Sequence, residues 1–455
     1  MIKKIFLILL LGDAICAVMS MYIGIFLRSV FFLELTEGYS LGVIKVSVFT
    51  GVLLFASFLM EAYNHEKMIG NKESLLRVLI ALLVSFISLS SIYYAIPYIS
   101  VGRGVLVVSL CTFAFLQFTW HTAFKVSFHF PGVSQKVLII GSGVLANQIG
   151  GLIASTNHGY YDLLGYVDSA SEPVSVPEER IKGHCNEIVE TAKRGKVHKI
   201  VVSLSEKRGI FPLKSLLCCK LNGIEIIDAP SFYEQLTGKL FIENITPSWF
   251  IFSDGFRTTF IRRFIKRLLD ILLSLTGLLV ALPFIPLIAL LIKLNSPGPV
   301  FFTQVRVGEG EKRFVLYKFR SMRQDAELKT GAVWSEENDK RITRVGKILR
   351  KTRFDEIPQL FNVLRGDMSV IGPRPERPEF VENLKKVIPY YSERHFVKPG
   401  ITGWAQVKHC YGASVEDAIE KLRYDLFYLK HFSLFFDLLI LLETTKVVLF
   451  GRGGR

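Results

Sequence analysis

Three stretches of different texture predict a chain in three parts: a membrane α-helical bundle, a parallel α/β domain, and an α+β domain tied to the membrane by a bent helix. Four long apolar runs fill the first 124 residues, strand and helix patterns alternate from 134 to 255, and a further apolar run, Leu268–Leu294, is broken by Pro283 and Pro286. With 455 residues, two to three domains are expected, and a chain that is 50% hydrophobic is not a purely soluble one.

Residues 5–27, 41–60, 75–96 and 104–124 are each about long enough to span a bilayer, so 1–127 reads as a four-helix transmembrane region. The first run has no small-residue cleavage site and reads as an anchor. Lys3, Lys4, Lys67, Lys72, Arg77, Lys125 and Lys136 flank one side, against Arg28, Lys45 and Arg103 on the other. The positive-inside rule therefore places both ends of the bundle in the cytoplasm. Gly42 and Gly51 read as helix-packing positions.

From 134 to 255 the pattern changes. KVLIIGSGVLANQIG (136–150) is a buried strand, a glycine turn and a helix, and GYVD, HKIVVSL and GIEIID read as further strands. Gly141, Gly143 and Ala146 fit G-x-G-x-x-A, and Asp168 ends a later strand, a Rossmann-like layout with a possible dinucleotide site. The motif is short and weak by itself, and a structural turn whose glycines only allow tight packing is the favoured reading of it. This domain is expected to be non-catalytic.

Arg257, Arg262, Arg263, Lys266 and Arg267 precede the broken apolar run and are placed to grip anionic headgroups. Leu268–Leu282 makes only about 22 Å of helix, short of a ~30 Å hydrocarbon core. Pro283 and Pro286 then each remove a donor and clash with the preceding turn. The run is predicted to bend near Pro283 and re-enter the face it came from, with Ser274 and Thr276 as partners for the freed carbonyls and Lys293 reaching back to headgroups. Ser296–Pro297–Gly298–Pro299 cannot be helical, and the segments on either side of Gly308 suit a hairpin. Lys318 and Arg320 on it serve either phosphate binding or structure. Residues 417–450 are helical, and Asp437, Glu443 and Lys446 favour a helix lying at the membrane interface.

The chemistry gathers at KILRKTRFDEIPQLFNVLRGDMSVIGPRP (347–375). Pro358 belongs in a helix's first turn, so Asp355 and Glu356 lie at or just before an N-terminus, a natural seat for phosphate. Arg350 and Arg353 approach from one side, and Arg374, held extended between Pro373 and Pro375, from the other. One acid can attack or relay a proton, the other can hold a divalent cation, and arginines clamp phosphate oxygens. Lys398–Trp404 (KPGITGW) is either a glycine-rich loop whose backbone, with Lys398, Gly400 and Thr402, approaches a phosphate, or a rigid turn.

FDEIPQLFNVLRGDMSVIGPRP (354–375) closely resembles the signature of the bacterial sugar transferases, the monotopic polyprenol-phosphate sugar-phosphate transferases. SPGPVFFTQVRVG (296–308), FVLYKFRSM (314–322) and KPGITGWAQV (398–407) match in order, so the resemblance covers roughly 257–455; the front half is similar to the large members in layout only. The fold it implies is a membrane helical bundle (1–127), a Rossmann-like domain (134–255) and an α+β monotopic catalytic domain (257–455) with a re-entrant membrane helix (268–294). It implies transfer of a sugar 1-phosphate from a UDP-sugar to a polyprenyl phosphate such as undecaprenyl phosphate, with UMP leaving. Asp355 would be the nucleophile and Glu356 the ligand of Mg²⁺ (Mn²⁺ as the alternative), with Arg350, Arg374 and Lys318 on phosphate oxygens. A homodimer and a place in the bacterial inner membrane, with the catalytic domain on the cytoplasmic face, follow from the same resemblance.

The net charge of +15 is concentrated from Arg257 onward and suits a phosphate-bearing partner. Nucleic acid is the weaker match, because no nucleic-acid motif accompanies the charge. The six cysteines (16, 111, 185, 218, 219 and 410) form no CxxC and read as reduced or inert. A membrane-bound NAD-dependent sugar-nucleotide dehydratase or epimerase would need Tyr-x-x-x-Lys after the glycine motif, and the one such spacing, Tyr63/Lys67, precedes it. A non-enzymatic export scaffold would leave the acid pair purely structural. No D-x-D occurs, which disfavours an ordinary metal-dependent glycosyltransferase.

Overall fold

The protein is seen in a computed structural model, which describes residues 2–32, 42–60, 62–63, 71–128, 135–155, 161–168, 173–204, 211–245, 250–251, 253, 255–324, 339, 341–409, 412 and 414–449. Lys67 and Cys410 lie outside these. The chain forms two compact units, Met1–Phe232 and Tyr233–Arg455.

The first unit opens with α1 (Ile2–Phe32), α2 (Val43–Leu59), α3 (Asn71–Ala95) and α4 (Arg103–Phe128). Among the described residues, α1, α3 and α4 contain stretches long and apolar enough to cross a membrane, while α2, at 17 residues, is slightly shorter. Their leucines and phenylalanines pack round Met21, Phe49, Leu53, Leu89 and Leu110. Gly42 and Gly51 face open space and pack against nothing; the close approaches fall at Gly12, against Trp120, and Gly24, against Ser109. A polar knot crosses this apolar interior. Buried Asp13 accepts from Gln117 Nε2 at 2.5 Å and lies 3.0 Å from His121 Nε2, and Gln117 also donates to Ser57 Oγ at 2.9 Å. A carboxylate in such surroundings needs these partners.

The unit continues with five parallel strands: β1 (Gln135–Ile140), β2 (Tyr161–Asp168), β3 (Ile181–His184), β4 (Lys199–Val202) and β5 (Glu225–Asp228), in the order β3-β2-β1-β4-β5. Continuous apolar runs such as Val137–Ile140 are buried on both faces, as parallel strands require. After β1 the chain turns at Gly141 (φ 115°), where a Cβ would stand 2.7 Å from Ser203 Oγ, into a helix at Val144–Ser155. Asp168 does not stand clear of this turn: it accepts from Ser142 Oγ at 2.6 Å. Gly141 and Asp168 thus have a structural use in closing the turn on the sheet, while Gly143 O accepts from Asn147 N at 3.1 Å at the start of the helix.

In the second unit, Leu240, Ile242 and Ile245 join the main core, with Val363, Met368, Ile371 and Leu426. The stretch from 233 to 245, read from the sequence as part of the α/β domain, is therefore built into this unit. The broken apolar run forms two helices, Phe260–Ala281 and Phe284–Asn295, bent by 63° at the break. Thr259 caps the first by accepting from Arg262 N. Ser274 and Thr276 do not serve the freed carbonyls at the prolines: Thr276 Oγ1 donates to Leu272 O, one turn back, and Ser274 Oγ is buried without a partner. A hairpin follows, β6 (Phe301–Val307) and β7 (Arg313–Phe319), antiparallel as the sequence suggests. The C-terminal helical stretch is two helices, Val415–Lys430 and Leu434–Leu449. The second is partly core: Phe436 and Ile440 are buried while Phe435 and Leu438 are exposed.

Candidate active site

The acid pair forms where two short elements meet. Thr343 caps the helix Arg344–Thr352 by accepting from Gly346 N at 3.0 Å. That helix ends at Arg353, in the left-handed region (φ 61°), which turns the chain sharply into a single 3-10 turn, Phe354–Glu356. Pro358 then starts α5 (Gln359–Arg365). Sequence reasoning correctly placed the acids before a proline-started helix. That helix has only 7 residues, so its dipole is a small contribution to anion binding.

Asp355 and Glu356 are both buried, 6% exposed, at the wall of a cleft of about 420 Å³. Glu356 Oε1 is 2.9 Å from both Lys318 Nζ and Arg374 Nη2, and Oε2 is 3.7 Å from Arg353. Among the described residues Asp355 Oδ1, which is buried, has no hydrogen-bond partner. Neighbours at such different distances drive the two carboxyls apart. Burial pushes the Asp355 carboxyl above the usual carboxylate range, more than Lys318, Arg350 and Arg374 can offset, and Glu356 adds to the rise. Burial acts the same way on Glu356 but is outweighed by Lys318, Arg374 and Arg353, which hold it well below that range. Glu356 is the fixed charge of the pair, and Asp355 the under-coordinated one.

Lys318, Arg320, Arg350 and Arg374 all line the cleft. Arg350 Nε donates to Ser321 Oγ at 2.9 Å. Arg320 is committed to backbone: it donates to Ser296 O and Pro297 O at 2.7 and 2.8 Å and so braces the Ser296–Pro299 turn. Lys398, Gly400 and Thr402 do not line the cleft. Gly400–Thr402 is a strand, β9, paired in parallel with β8 (Ser369–Ile371). Lys398 Nζ donates to Gly366 O at 2.7 Å, and the Thr402 hydroxyl meets that of Thr444 at 2.7 Å. A Cβ at Gly400 would collide with Gly372 N, so the glycine serves the approach of two backbones and not of a phosphate.

Three groups near the acids escaped the sequence reading. Arg394, buried, donates to Asp425 Oδ2 and Tyr391 Oη at 2.7 Å and to Arg374 O at 3.1 Å, so a buried ion pair holds the backbone that aims Arg374. Asp270, on the first half of the bent helix, accepts from Ser369 Oγ and Val370 N at 2.9 and 3.0 Å. A lone carboxylate inside the run Leu268–Leu294 was a usable signal. Asn362 is the third and is taken up below.

Among the described residues no three His, Cys, Asp or Glu side chains are grouped to hold a metal ion. Mg²⁺ does not need three: it is commonly held by one or two carboxylates, with water and substrate phosphate completing the octahedron. A partnerless carboxylate oxygen on Asp355 beside the carboxylate of Glu356 fits that kind of ion.

A membrane-attached body with a cationic cleft and a buried acid pair defines a class suited to phosphoryl transfer at a lipid surface. Residues 261–451 match the family model described as bacterial sugar transferase. An exopolysaccharide production protein PSS of Rhizobium leguminosarum bv. phaseoli is 45% identical over 185 residues, 40% of this chain and 92% of that protein. The chain belongs to the bacterial sugar transferase family. It is also similar to a UDP-N-acetylgalactosamine-undecaprenyl-phosphate N-acetylgalactosaminephosphotransferase of Aeromonas hydrophila, 45% identical over 237 residues, 52% of this chain and 55% of that protein. A UDP-glucose:undecaprenyl-phosphate glucose-1-phosphate transferase of Escherichia coli (strain K12) is 36% identical over 274 residues, 58% of this chain and 57% of that protein. The match thus spans just over half the length of the last two relatives.

Proposed function

We propose that this chain transfers a sugar 1-phosphate from a UDP-sugar to a polyprenyl phosphate such as undecaprenyl phosphate, through a covalent intermediate on Asp355. The observation that carries the reading is the partnerless, buried carboxylate oxygen of Asp355 in a cleft lined by Lys318, Arg350 and Arg374. In the first step that oxygen bonds to the sugar-proximal phosphorus, and the bond to the bridging oxygen breaks, leaving with UMP. In the second, an oxygen of the lipid phosphate bonds to the same phosphorus and Asp355 leaves as carboxylate. Electrons and atoms balance without an outside proton, and each bulky phosphate uses the cleft in turn. A raised carboxyl pKa makes Asp355 a stronger nucleophile than an ordinary aspartate once it is deprotonated. Arg374 and Lys318, anchored on Glu356, meet phosphate oxygens; losing one such contact costs about 2–4 kcal/mol of transition-state stabilisation. Glu356 would hold Mg²⁺, which when bound neutralises diphosphate charge; Mn²⁺ is the alternative.

The bent helix pair reads best as re-entrant. Near its start, Arg267 donates to Val363 O and Leu364 O at 2.5 and 2.7 Å; near its end, Ile288 and Ile292 pack with Phe319 and Leu349, and Asn295 Oδ1 accepts from Val345 N at 3.2 Å. Both ends join one folded body, and one body cannot lie on both sides of a bilayer. With the chain entering from the cytoplasm, as the distribution of Lys and Arg in the first helices supports, a re-entrant pair leaves the cleft on the side where UDP-sugars are made, the cytoplasmic face of a bacterial inner membrane, and at headgroup level for the lipid phosphate. A homodimer is the expected assembly.

The test is release of UMP by the full chain in bilayers, measured across a panel of UDP-sugars with and without added polyprenyl phosphate. The reading predicts sustained, acceptor-dependent release from at least one donor. No release from any donor would contradict it.

A further inference from the structure

Asn362 is fully buried. Its Nδ2 donates to Val315 O at 2.7 Å and its Oδ1 accepts from Tyr317 N at 3.1 Å. One bond to a carbonyl and one from an amide fix which way the side-chain amide points. Both targets lie on β7, whose only strand partner among the described residues is β6. A two-stranded hairpin leaves its outer edges unpaired, and Asn362 supplies there one donor and one acceptor, the pattern a third strand would supply. The next residue after Tyr317 is Lys318, whose Nζ is 2.9 Å from Glu356. Asn362 itself sits on α5, the helix that begins directly after the acid pair, and Arg267 on the bent helix donates to the carbonyls of Val363 and Leu364 in its last turn.

We propose that Asn362 is a positioning residue: its amide clamps the open edge of β7 to α5 and so fixes Lys318 against the acid pair. The inference rests on the transferase reading above. A hairpin strand free to slide would carry Lys318 away from Glu356, and a misplacement of about 1 Å at a reacting centre costs on the order of 100-fold in rate. The buried amide is a specific device for this, since an apolar side chain of similar size would leave Val315 O and Tyr317 N unsatisfied.

A double-mutant cycle on the full chain in bilayers tests it, reading kcat/KM for UMP release. Asn362→Ala should lose roughly 10- to 100-fold. Lys318→Ala combined with Asn362→Ala should lose no more than Lys318→Ala alone, within about 2-fold, because coupled residues are non-additive. Val363→Ala, a buried neighbour, is the control: it should lower Tm and add its loss to that of Lys318→Ala. Fully additive losses for Asn362 would overturn the proposal. Amide exchange gives a readout independent of activity: exchange at Tyr317 N should accelerate by about 10-fold or more in Asn362→Ala and stay as in wild type in Lys318→Ala. Unchanged exchange at Tyr317 would overturn the clamp. Asn362→Asp keeps the acceptor for Tyr317 N and loses the donor to Val315 O; it carries the kinetic cycle, and not the exchange at Tyr317, if the alanine variant does not fold. A wild-type chain that released no UMP would sink the transferase reading, and the exchange arm would still decide the clamp.

Discussion

At the scale of single residues, adjacency in sequence hides a division of labour. Asp355 and Glu356 are neighbours with equal exposure, yet Glu356 has two cations at 2.9 Å and Asp355 has an oxygen with no partner. The rise in the Asp355 carboxyl pKa has a kinetic consequence. Attack needs the carboxylate, so activity falls as pH drops through that raised value. The acid limb of kcat/KM should therefore lie above the ~4 of an ordinary aspartate. Lys318 lowers the Asp355 value, so Lys318→Ala should move the limb to still higher pH. A limb at or below ~4, or one that moves downward in Lys318→Ala, contradicts this assignment. The acids, Arg350 and Arg374 were legible in the sequence because motif spacing puts unlike charges together, whereas Lys318, 38 positions from Glu356, was singled out by the family resemblance. Arg394, Asp425 and Asn362 were not: Arg394 and Asp425 are 31 positions apart, Arg394 and Arg374 are 20 apart, Asn362 and Val315 are 47 apart, and sequence spacing carries no sign of these pairs.

At the scale of elements, the hairpin and the broken apolar run could be read from local rules. Alternating β-branched and aromatic residues flank a glycine turn, and two prolines one turn apart interrupt a helix. The run from Lys398 to Trp404 could not. A glycine needed for backbone-to-backbone contact and one needed for backbone-to-phosphate contact look alike in sequence, and only the collision of a Gly400 Cβ with Gly372 N separates them. The bent pair carries the topology. Cysteines in place of Phe264, before the apolar run, and Leu294, at its end, are both on exposed positions. In a background without reactive native thiols, an impermeant reagent added outside intact cells should label neither. Labelling of the Leu294 position would make the pair a span. Replacing Pro283 and Pro286 together with Ala should favour a straight helix and abolish activity, since Arg267 and Asn295 could no longer both reach the same body.

At the scale of the whole molecule, the charge and the apolar runs divide the work between membrane and cleft. The first unit holds apolar helices and a parallel sheet, and the second holds the family match, the bent helix and the acid pair. The boundary between them at Phe232 and Tyr233 was not legible, because Leu240, Ile242 and Ile245 carry no periodicity that says which core they enter. The division places all of the proposed chemistry in the second unit, and that chemistry turns on one bond. Incubating the full chain with a UDP-sugar and Mg²⁺, without lipid acceptor, and weighing the intact protein tests it directly. The account predicts a mass increase of one sugar phosphate, mapped to Asp355, absent in Asp355→Asn and discharged when polyprenyl phosphate is added. No adduct under conditions that release UMP, together with turnover by Asp355→Asn, would contradict it.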